Sequence, residues 1–264
     1  MQRKGNDGGS VMEPQSLETI ASYCDTLLNH ATIEDWPGAR NGLQVQNEGK
    51  IFRIIAAVDA GLPVLEAAVA DKSSLLLVHH GLFWSPIIPL TGANYRKMRL
   101  CFDNDLAVYS SHLPLDGHPV LGNTAGLARA MELVDGEPWF DEKGTPIGLR
   151  FAVDLDRQEI AGRFAAATGK PPHLVPSGPE RVRSLGIVTG GAGNEAARAA
   201  ALGVDTFLTG EGAHWTYALG FDLGINIMYG GHYATETFGV KALASHLSER
   251  FGLPWSFVDM PSGL

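Results

Sequence analysis

The sequence predicts an α/β fold made of two similar units. Three observations favour this fold: strand patterns alternate with helix patterns, two long segments of the chain resemble each other, and histidines and carboxylates recur where predicted strands end. The chain has 264 residues, of which 45% are hydrophobic and 19% are charged, so it is long enough to bury a substantial core.

The composition disfavours several classes of protein. A formal net charge of −9 and a pI near 5.4 argue against a phosphate-binding surface, so nucleic acid is an unexpected partner. Cys24 and Cys101 lack the spacing of a disulfide framework or a structural zinc site, which fits a reducing cytosol. No apolar run approaches the ~20 residues of a membrane span. The start, MQRKGNDGGSVMEPQ, predicts a loose polar tail with either Met1 or Met12 as its first residue. We therefore expect a soluble, cytoplasmic protein.

Predicted strands and helices alternate in the first half of the chain. Leu17, Ile20, Cys24 and Leu28 recur at helical spacing, whereas IFRIIAAVD and LLLVHH are short apolar runs typical of buried strands. The predicted elements are a helix over 16–30, a strand over 51–59, a helix over 63–71, a strand over 75–80, a helix over 95–102 and a strand over 105–112. This order indicates a mainly parallel sheet, whose ligands gather beyond the carboxyl ends of its strands.

Similar segments recur in the two halves. Three pairs match in the same order: AAVDAGLPVLEAAVADKSSLLLVHHGLFW (56–84) with GIVTGGAGNEAARAAALGVDTFLTGEGAHW (186–215), AVYSSHLPLD (107–116) with IMYGGHYATE (227–236), and LARAMELVDGEPWF (127–140) with LASHLSERFGLPWSF (243–257). The second match aligns His112 with His232 and Asp116 with Glu236, so that a His-x-x-x-acid motif occurs twice. The matches predict an internal duplication.

The duplication predicts two α/β units with a metal cleft between them. The repeated halves span roughly 16–140 and 146–264. As folded domains we expect 1–125 together with 235–264, and 126–234.

Chemistry-bearing residues lie at the ends of the predicted strands in both units. The candidates are His79, His80, His112, Asp116, Glu211, His232 and Glu236. This set exceeds the needs of one ion, and a site for two divalent ions ~3.5–4 Å apart accounts for the surplus. Its mixed nitrogen and oxygen donors suit zinc, manganese, iron, cobalt or nickel.

Simpler interpretations exist for the same residues. His79 and His80 form a costly, partly buried polar pair if they bind nothing. His232 and Glu236 form an ordinary i, i+4 pair if they lie on a helix surface. The glycine-rich segment GGAGNE (190–195) follows a strand, as phosphate-binding loops do. It lacks the spacing of a dinucleotide-binding motif and the lysine of a Walker motif, so it only weakly indicates phosphate binding.

Several motifs together resemble one known family. VHHGLFW, SHLPLD, TGEGAHW and GGHYATE, with NGLQV and AAVD upstream, are similar to the NIF-three-like family, whose members are commonly named GTP cyclohydrolase I type 2 homologues. The resemblance covers about Leu17 to Val258. It implies a two-domain α/β subunit, a toroidal homohexamer and a dinuclear metal site in each cleft. Members with a long inserted middle domain exist, and this chain is too short to hold one.

The resemblance also implies roles for individual residues. The family's ligands fall on His79, His80, Asp116, His232 and Glu236, with Glu236 as the bridge. His112 and Glu211 are then candidates for catalytic roles behind the ligands, where they orient water or take its proton.

The function that these features predict is hydrolysis of a small, nucleotide-like substrate by water activated at the metal site. The family name would make that substrate GTP, but the sequence contains no motif that indicates recognition of guanine or triphosphate. Two alternatives stay open. One is a metal-dependent phosphoesterase with the same ligands, and the other is a metal-binding scaffold that acts through a partner protein.

Overall fold

The structure, a computed structural model, describes residues 13–69, 74–84 and 89–264. It confirms the predicted α/β class. The described strands are β1 (Gln15–Ser16), β2 (Gly42–Val45), β3 (Lys50–Ile51), β4 (Arg53–Asp59), β5 (Ser74–His80), β6 (Ala107–Ser110), β7 (Glu137–Glu142), β8 (Thr145–Asp156), β9 (His173–Pro176), β10 (Arg181–Ile187), β11 (Thr206–Thr209), β12 (Asn226–Tyr229) and β13 (Trp255–Phe257). The described helices are α1 (Leu17–Leu27), α2 (Leu62–Ala68), α3 (Gly92–Asp103), α4 (Leu113–Asp116), α5 (Asn123–Ala130), α6 (Arg157–Thr168), α7 (Ala196–Ala201), α8 (Thr216–Leu223), α9 (His232–Thr235) and α10 (Thr237–Phe251). Most of the predicted N-terminal tail lies outside the described residues.

The predicted first helix is present with a shorter C-terminal end. It begins at Leu17 because Ser16 caps it, with Ser16 Oγ accepting a hydrogen bond from Thr19 N at 3.3 Å. It ends before Asn29, whose φ of 53° lies in the left-handed region and terminates the helical path.

Two predicted strands differ from the observed ones at their ends. The run predicted over 51–59 divides in two, because β3 pairs with β1 whereas β4 joins the larger sheet. The strand predicted over 105–112 shortens to β6, since Asp105 has a φ of 54° and delays the start of pairing. His112 therefore stands beyond the strand, immediately before α4.

A five-stranded sheet holds the histidine pair. Its order is β13-β4-β5-β6-β2, with β2 antiparallel at the edge and the other four strands parallel. The aliphatic run Leu75 to Val78 is fully buried because β5 lies in the middle of the sheet with its faces covered. The register between β4 and β5 sets Asp59 beside His80 at their carboxyl ends.

A six-stranded sheet forms the rest of the fold. Its order is β7-β8-β10-β11-β12-β9, in which β10, β11 and β12 are parallel and the remaining pairings are antiparallel. Glu211 follows β11 in this sheet, and His232 follows β12.

The two sheets have corresponding centres. In each sheet three consecutive parallel strands lie side by side, β4-β5-β6 in one and β10-β11-β12 in the other. The third of these strands is followed by a one-turn helix and then a longer helix, α4 and α5 in one case and α9 and α10 in the other. The final strands are exchanged, because β7 joins the six-stranded sheet whereas β13 joins the five-stranded one. The duplication and the domain boundaries stay predictions.

Close packing of α5 against α10 joins the two parts of the fold. A Cβ at Gly126 of α5 would lie 2.6 Å from Phe238 Cβ of α10, so only glycine permits this approach. The helix α10 also packs on β4. As a result, the carboxyl ends of the parallel strands of both sheets face one cleft.

Two further observations concern membrane-spanning helices and the two cysteines. In the part of the chain that the structure describes, no helix combines the length and apolarity required to cross a bilayer. Cys24 and Cys101 are free and buried. Burial raises the pKa of the Cys24 thiol to about 12 and that of Cys101 to about 11, so neither is poised as a thiolate.

Candidate metal centre

The cleft between the sheets contains a cavity of about 690 Å³. Five predicted site residues line it: His80, His112, Asp116, His232 and Glu236. His79 lies buried behind them, and Glu211 contacts His232. The structure therefore brings side chains from distant parts of the sequence into one site.

His79 has a ring nitrogen with no partner in the described structure. Its side chain is 0% exposed, and Nδ1 donates a hydrogen bond to the carbonyl oxygen of Ser111 at 3.0 Å. Nε2 makes no hydrogen bond to any described residue, although Asp116 Oδ2 lies 3.4 Å away and Glu236 Oε1 lies 3.6 Å away. A buried, unsatisfied nitrogen between two carboxylates is costly unless another group occupies the space between them.

His80 and His232 are oriented in the same way. His80 Nδ1 donates to Asp59 Oδ1 at 2.8 Å, and His232 Nδ1 donates to Glu211 Oε1 at 2.8 Å. Both rings thus present Nε2 to Glu236 Oε2, at 3.4 Å from His80 and 3.1 Å from His232. A hydrogen bond on Nδ1 fixes the ring and leaves Nε2 as the ligand atom, which is the usual arrangement behind metal-binding histidines.

The two adjacent histidines reach one cleft. Their ring centroids are 4.8 Å apart although neighbouring residues of a strand start towards opposite faces. Gly81 follows them and lies against the end of the Gln44 side chain, whose Oε1 accepts a hydrogen bond from Leu82 N at 2.7 Å.

Glu236 lies at the centre of the site. It is 4% exposed, which rules out the surface i, i+4 pair with His232. Its Oε1 faces His79, and its Oε2 faces His80 and His232 but accepts no hydrogen bond of acceptable geometry from the described residues. The Glu236 carboxylate therefore lies between His79 on one side and the pair His80 and His232 on the other.

Asp116 is held by the helices that join the two sheets. Its Oδ1 accepts a hydrogen bond from Asn123 Nδ2 at 2.8 Å, and Asn123 Oδ1 accepts one from Gly239 N at 2.6 Å. This network leaves Asp116 Oδ2 directed at His79.

His112 is oriented by a residue that sequence reasoning missed. Its Nδ1 donates to Asp35 Oδ1 at 2.9 Å, and its ring centroid lies 4.9 Å from that of His79. Burial alone would raise the pKa of Asp35, but hydrogen bonds from His112, Asn41 and the backbone of Trp36 hold it below its ordinary value. Asp59 was also missed, although it ends the quoted AAVD run opposite His80.

Two overlapping groups of donors have metal-binding geometry. One is His79, His80 and His112, and the other is His80, His232 and Glu236. Within each group the ligand atoms lie within 4.8 Å of one another. Imidazole nitrogens and carboxylate oxygens in this mixture fit a transition-metal ion, and the unsatisfied atoms of His79 and Glu236 fit it as well.

Two backbone amides of the loop GGAGNE are already used in hydrogen bonds to protein atoms and do not point at an anion site. Gly190 N donates to Thr235 Oγ1, and Gly193 N donates to the carbonyl oxygen of Glu211. The loop instead packs against the carboxylate of Glu236.

Charge coupling dominates the metal-free site. Burial alone would lower the pKa of His79, but Asp116 and Glu236 outweigh it and raise that pKa well above its ordinary value. Burial likewise opposes the charge on His232, but Glu236 and Glu211 raise its pKa to about 9. Burial would raise the pKa of Glu236, yet the surrounding imidazoles hold it well below its ordinary value.

We predict that metal binding at pH 7 releases protons. The raised pKa values of His79 and His232 favour their protonated rings in the metal-free protein, and a metal ion binds only the neutral ring, so loading should displace up to about two protons per subunit. Calorimetric titration in buffers of different ionisation enthalpy measures this number. It should fall as the pH rises through about 9, where His232 loses its proton. Release that does not depend on pH would contradict the prediction.

The same shift has a consequence for stability. Because the folded pKa of His232 lies above the ordinary value of 6.5, its charge stabilises the metal-free fold fully below about pH 6.5. That contribution is lost as the pH rises through about 9.

The chain is similar to one known protein family over most of its length. A family model described as Duf34/NIF3 (NGG1p interacting factor 3) matches residues 15–262. A protein of Deinococcus radiodurans named GTP cyclohydrolase 1 type 2 homolog is 42% identical over 226 residues, which cover 85% of this chain and 86% of the relative. A protein of the same name from Treponema pallidum is 35% identical, with 93% and 98% of the two chains covered.

Solved structures share the fold. The crystal structure of a Thermus thermophilus protein superposes with a TM-score of 0.86 at 37% identity, covering 95% of this chain and all of that one. Reduced HcgD from Methanocaldococcus jannaschii gives a TM-score of 0.83 at 25% identity, covering 94% and 99% of the two chains.

Proposed function

Because the chain belongs to the Duf34/NIF3 (NGG1p interacting factor 3) family, we propose that it is a cytoplasmic metal-dependent hydrolase with two divalent ions per subunit. Zinc, iron, manganese, cobalt and nickel all suit its donors. The observation that carries the proposal is Glu236, a buried carboxylate whose two oxygens face different imidazoles. Assembly into a homohexamer is part of the same proposal and rests on the family resemblance.

The residues divide into two sets of ligands. His79 Nε2, Asp116 Oδ2 and Glu236 Oε1 would hold one ion, since Asp116 Oδ2 lies 3.4 Å and Glu236 Oε1 lies 3.6 Å from His79 Nε2. His80 Nε2, His232 Nε2 and Glu236 Oε2 would hold the other, and their shared contacts are 3.4 and 3.1 Å. The adjacent histidines His79 and His80 would therefore bind different ions.

When bound, the ions would supply Lewis acidity and lower the pKa of water so that hydroxide is available near neutral pH. The chain's own residues supply the remaining functions. Asp59 and Glu211 fix the ring orientation of His80 and His232. His112 lines the cleft with its Nδ1 held by Asp35, and its Nε2, which has no hydrogen bond to a described residue, would take or return a proton.

The substrate that the family name favours is a nucleotide-like small molecule. The curated relatives carry the name GTP cyclohydrolase 1 type 2 homolog, and a cavity of about 690 Å³ has the size of small-molecule sites.

The proposal is tested by metal analysis followed by a substrate screen. Protein purified without chelators should contain about two transition-metal ions per subunit. The loaded protein should then change the mass of a nucleoside or nucleotide by hydrolysis. Cleavage of phosphodiesters instead would identify a phosphoesterase. A metal-loaded protein that turns over neither class, yet retains a protein partner after metal removal, would favour the scaffold.

We predict that His112→Ala retains its metals and loses at least about 100-fold in turnover, the range of a lost general acid or base. The reason is that His112 faces the cleft but lies outside both proposed sets of ligands. Metal content by mass spectrometry and kcat on the substrate from the screen measure the two effects separately. His118→Ala, at a half-buried turn outside the cleft lining where the ring accepts hydrogen bonds from two backbone amides, is a control and should retain its rate. Full activity of His112→Ala would refute the role, and loss of metal would make His112 a ligand.

A further inference from the structure

We propose that the metal centre takes an uncharged, flat ring compound and rejects molecules that present phosphate to it. This substrate class rests on the proposed function and narrows it, because it separates the base or nucleoside form of a substrate from the nucleotide form.

The first support is the charge of the cleft. Five carboxylates line it: Asp59, Asp116, Glu142, Glu195 and Glu236. No lysine or arginine occurs among its described lining residues. Two cations that contact lining residues are paired: Arg198 with Glu142 at 3.4 Å, and Lys143, which lies 4.3 Å from the ring centroid of Trp36, with Glu34 at 3.6 Å.

Two bound metal ions would not give the cleft a net positive charge. Two divalent ions bring four positive charges, whereas Asp116, Glu236 and the three carboxylates behind the histidines bring five negative ones. Those three carboxylates are Asp35, Asp59 and Glu211. A phosphate ester adds about −1.5 to −2 at pH 7 to a site that has no excess positive charge.

The second support is the aromatic lining. Trp36 is 49% exposed and Trp84 is 38% exposed, and both line the cleft together with the buried Phe140. Trp84 stands edge-on to His112, with centroids 4.8 Å apart, so it borders the proposed ligands directly. Large rings exposed beside the proposed metal site provide a stacking surface for a flat ligand.

A separate cavity with cations borders the cleft. It measures about 780 Å³, includes Arg40 and Lys97, and shares only Trp84 with the cleft among the described lining residues. Lys97 Nζ already donates to the carbonyl oxygen of Ala60 at 3.0 Å. The two cations of this cavity are therefore not among the described residues that line the cleft.

The test compares a neutral ring with an anion on the cobalt-loaded protein. Imidazole and inorganic phosphate are titrated while the visible absorption of Co(II), which responds to changes in coordination, is recorded. We expect the midpoint for imidazole to lie at least about tenfold below that for phosphate. Glu195→Lys should lower the phosphate midpoint about fivefold, as reversal of one nearby charge does, and leave the imidazole midpoint unchanged. Glu195 suits this change because it is exposed and has no hydrogen bond or ion pair among the described residues.

Glu249→Lys is the matched control. It makes the same change in net charge on the exposed side of α10, away from the cleft lining, and should leave both midpoints unchanged. A phosphate midpoint at or below that of imidazole would overturn the inference, as would a Glu195→Lys variant that behaves like Glu249→Lys. Lack of response to imidazole would overturn it too. The measurement needs no turnover, so an inactive protein that prefers imidazole counts only against hydrolysis. A chain that binds no cobalt would contradict the proposed function and this inference together.

Discussion

Glu236→Gln should lose both metal ions and all turnover. The substitution keeps the size of the side chain but removes the negative charge, and one of its two oxygens becomes an amide nitrogen that cannot bind a cation. Because the two oxygens face different imidazoles, one ion would lose its ligand outright and the other would keep only a neutral amide oxygen. We expect metal affinity to fall by more than about 100-fold, beyond the range seen when residues behind a ligand are changed. Competition with a chromogenic chelator measures this loss.

Glu249→Gln provides the control for Glu236→Gln. It makes the same chemical change on an exposed part of α10 and should retain full metal content. The far-ultraviolet circular dichroism of both variants should match that of the parent protein, since a buried amide is tolerated sterically where the carboxylate was. Retention of both ions by a folded Glu236→Gln variant would refute the bridging position of Glu236.

The pKa values of His79 and His232 give a second measurement on Glu236→Gln. The raised pKa of His79 depends on Asp116 and Glu236, and that of His232 depends on Glu236 and Glu211. Removal of the charge at position 236 should lower both pKa values. Titration of the histidine ring protons by NMR in the metal-free variant would show this change even if the metals are lost completely.

Sequence reasoning identified the residues whose spacing is repeated. His112, Asp116, His232 and Glu236 lie at matching positions in two similar segments, and the structure gathers all of them in one cleft. A strand end and a following turn are local features, so the amino-acid pattern alone carries them. The central strand β5 was likewise evident from its aliphatic run.

The residues behind the histidines were harder to find. Asp35 lies between α1 and β2, where no periodic pattern exists, and its contact with His112 joins positions 77 apart. Asp59 was quoted as part of a motif, but its role depends on the register that sets it beside His80. Such contacts arise from tertiary packing, which a single sequence does not report. The same reason explains the exchange of β7 and β13, since strand pairing across the two halves leaves no local trace.

Gly190→Ala should cost metal affinity through a single methyl group. Gly190 has a φ of 71°, and a Cβ there would overlap Glu236 Oε1 and lie 3.2 Å from Glu236 Cδ and 3.4 Å from His232 Nε2. Glu236 is buried, so its carboxylate has little room to retreat. We expect the displaced carboxylate to weaken metal binding at least about tenfold, comparable to the loss of a residue that supports a ligand.

Gly224→Ala separates this effect from backbone strain. Gly224 has a φ of 67°, and a Cβ there would meet nothing within 4 Å. Gly224→Ala should therefore lose about 1 to 2 kcal/mol of unfolding free energy in the metal-free state, measured with urea, because alanine is disfavoured in the left-handed region, and Gly190→Ala should lose at least as much. Only Gly190→Ala should also lose metal affinity. Equal metal content in the two variants would mean that the carboxylate moves freely, and the tight packing behind Glu236 would then not position it for binding.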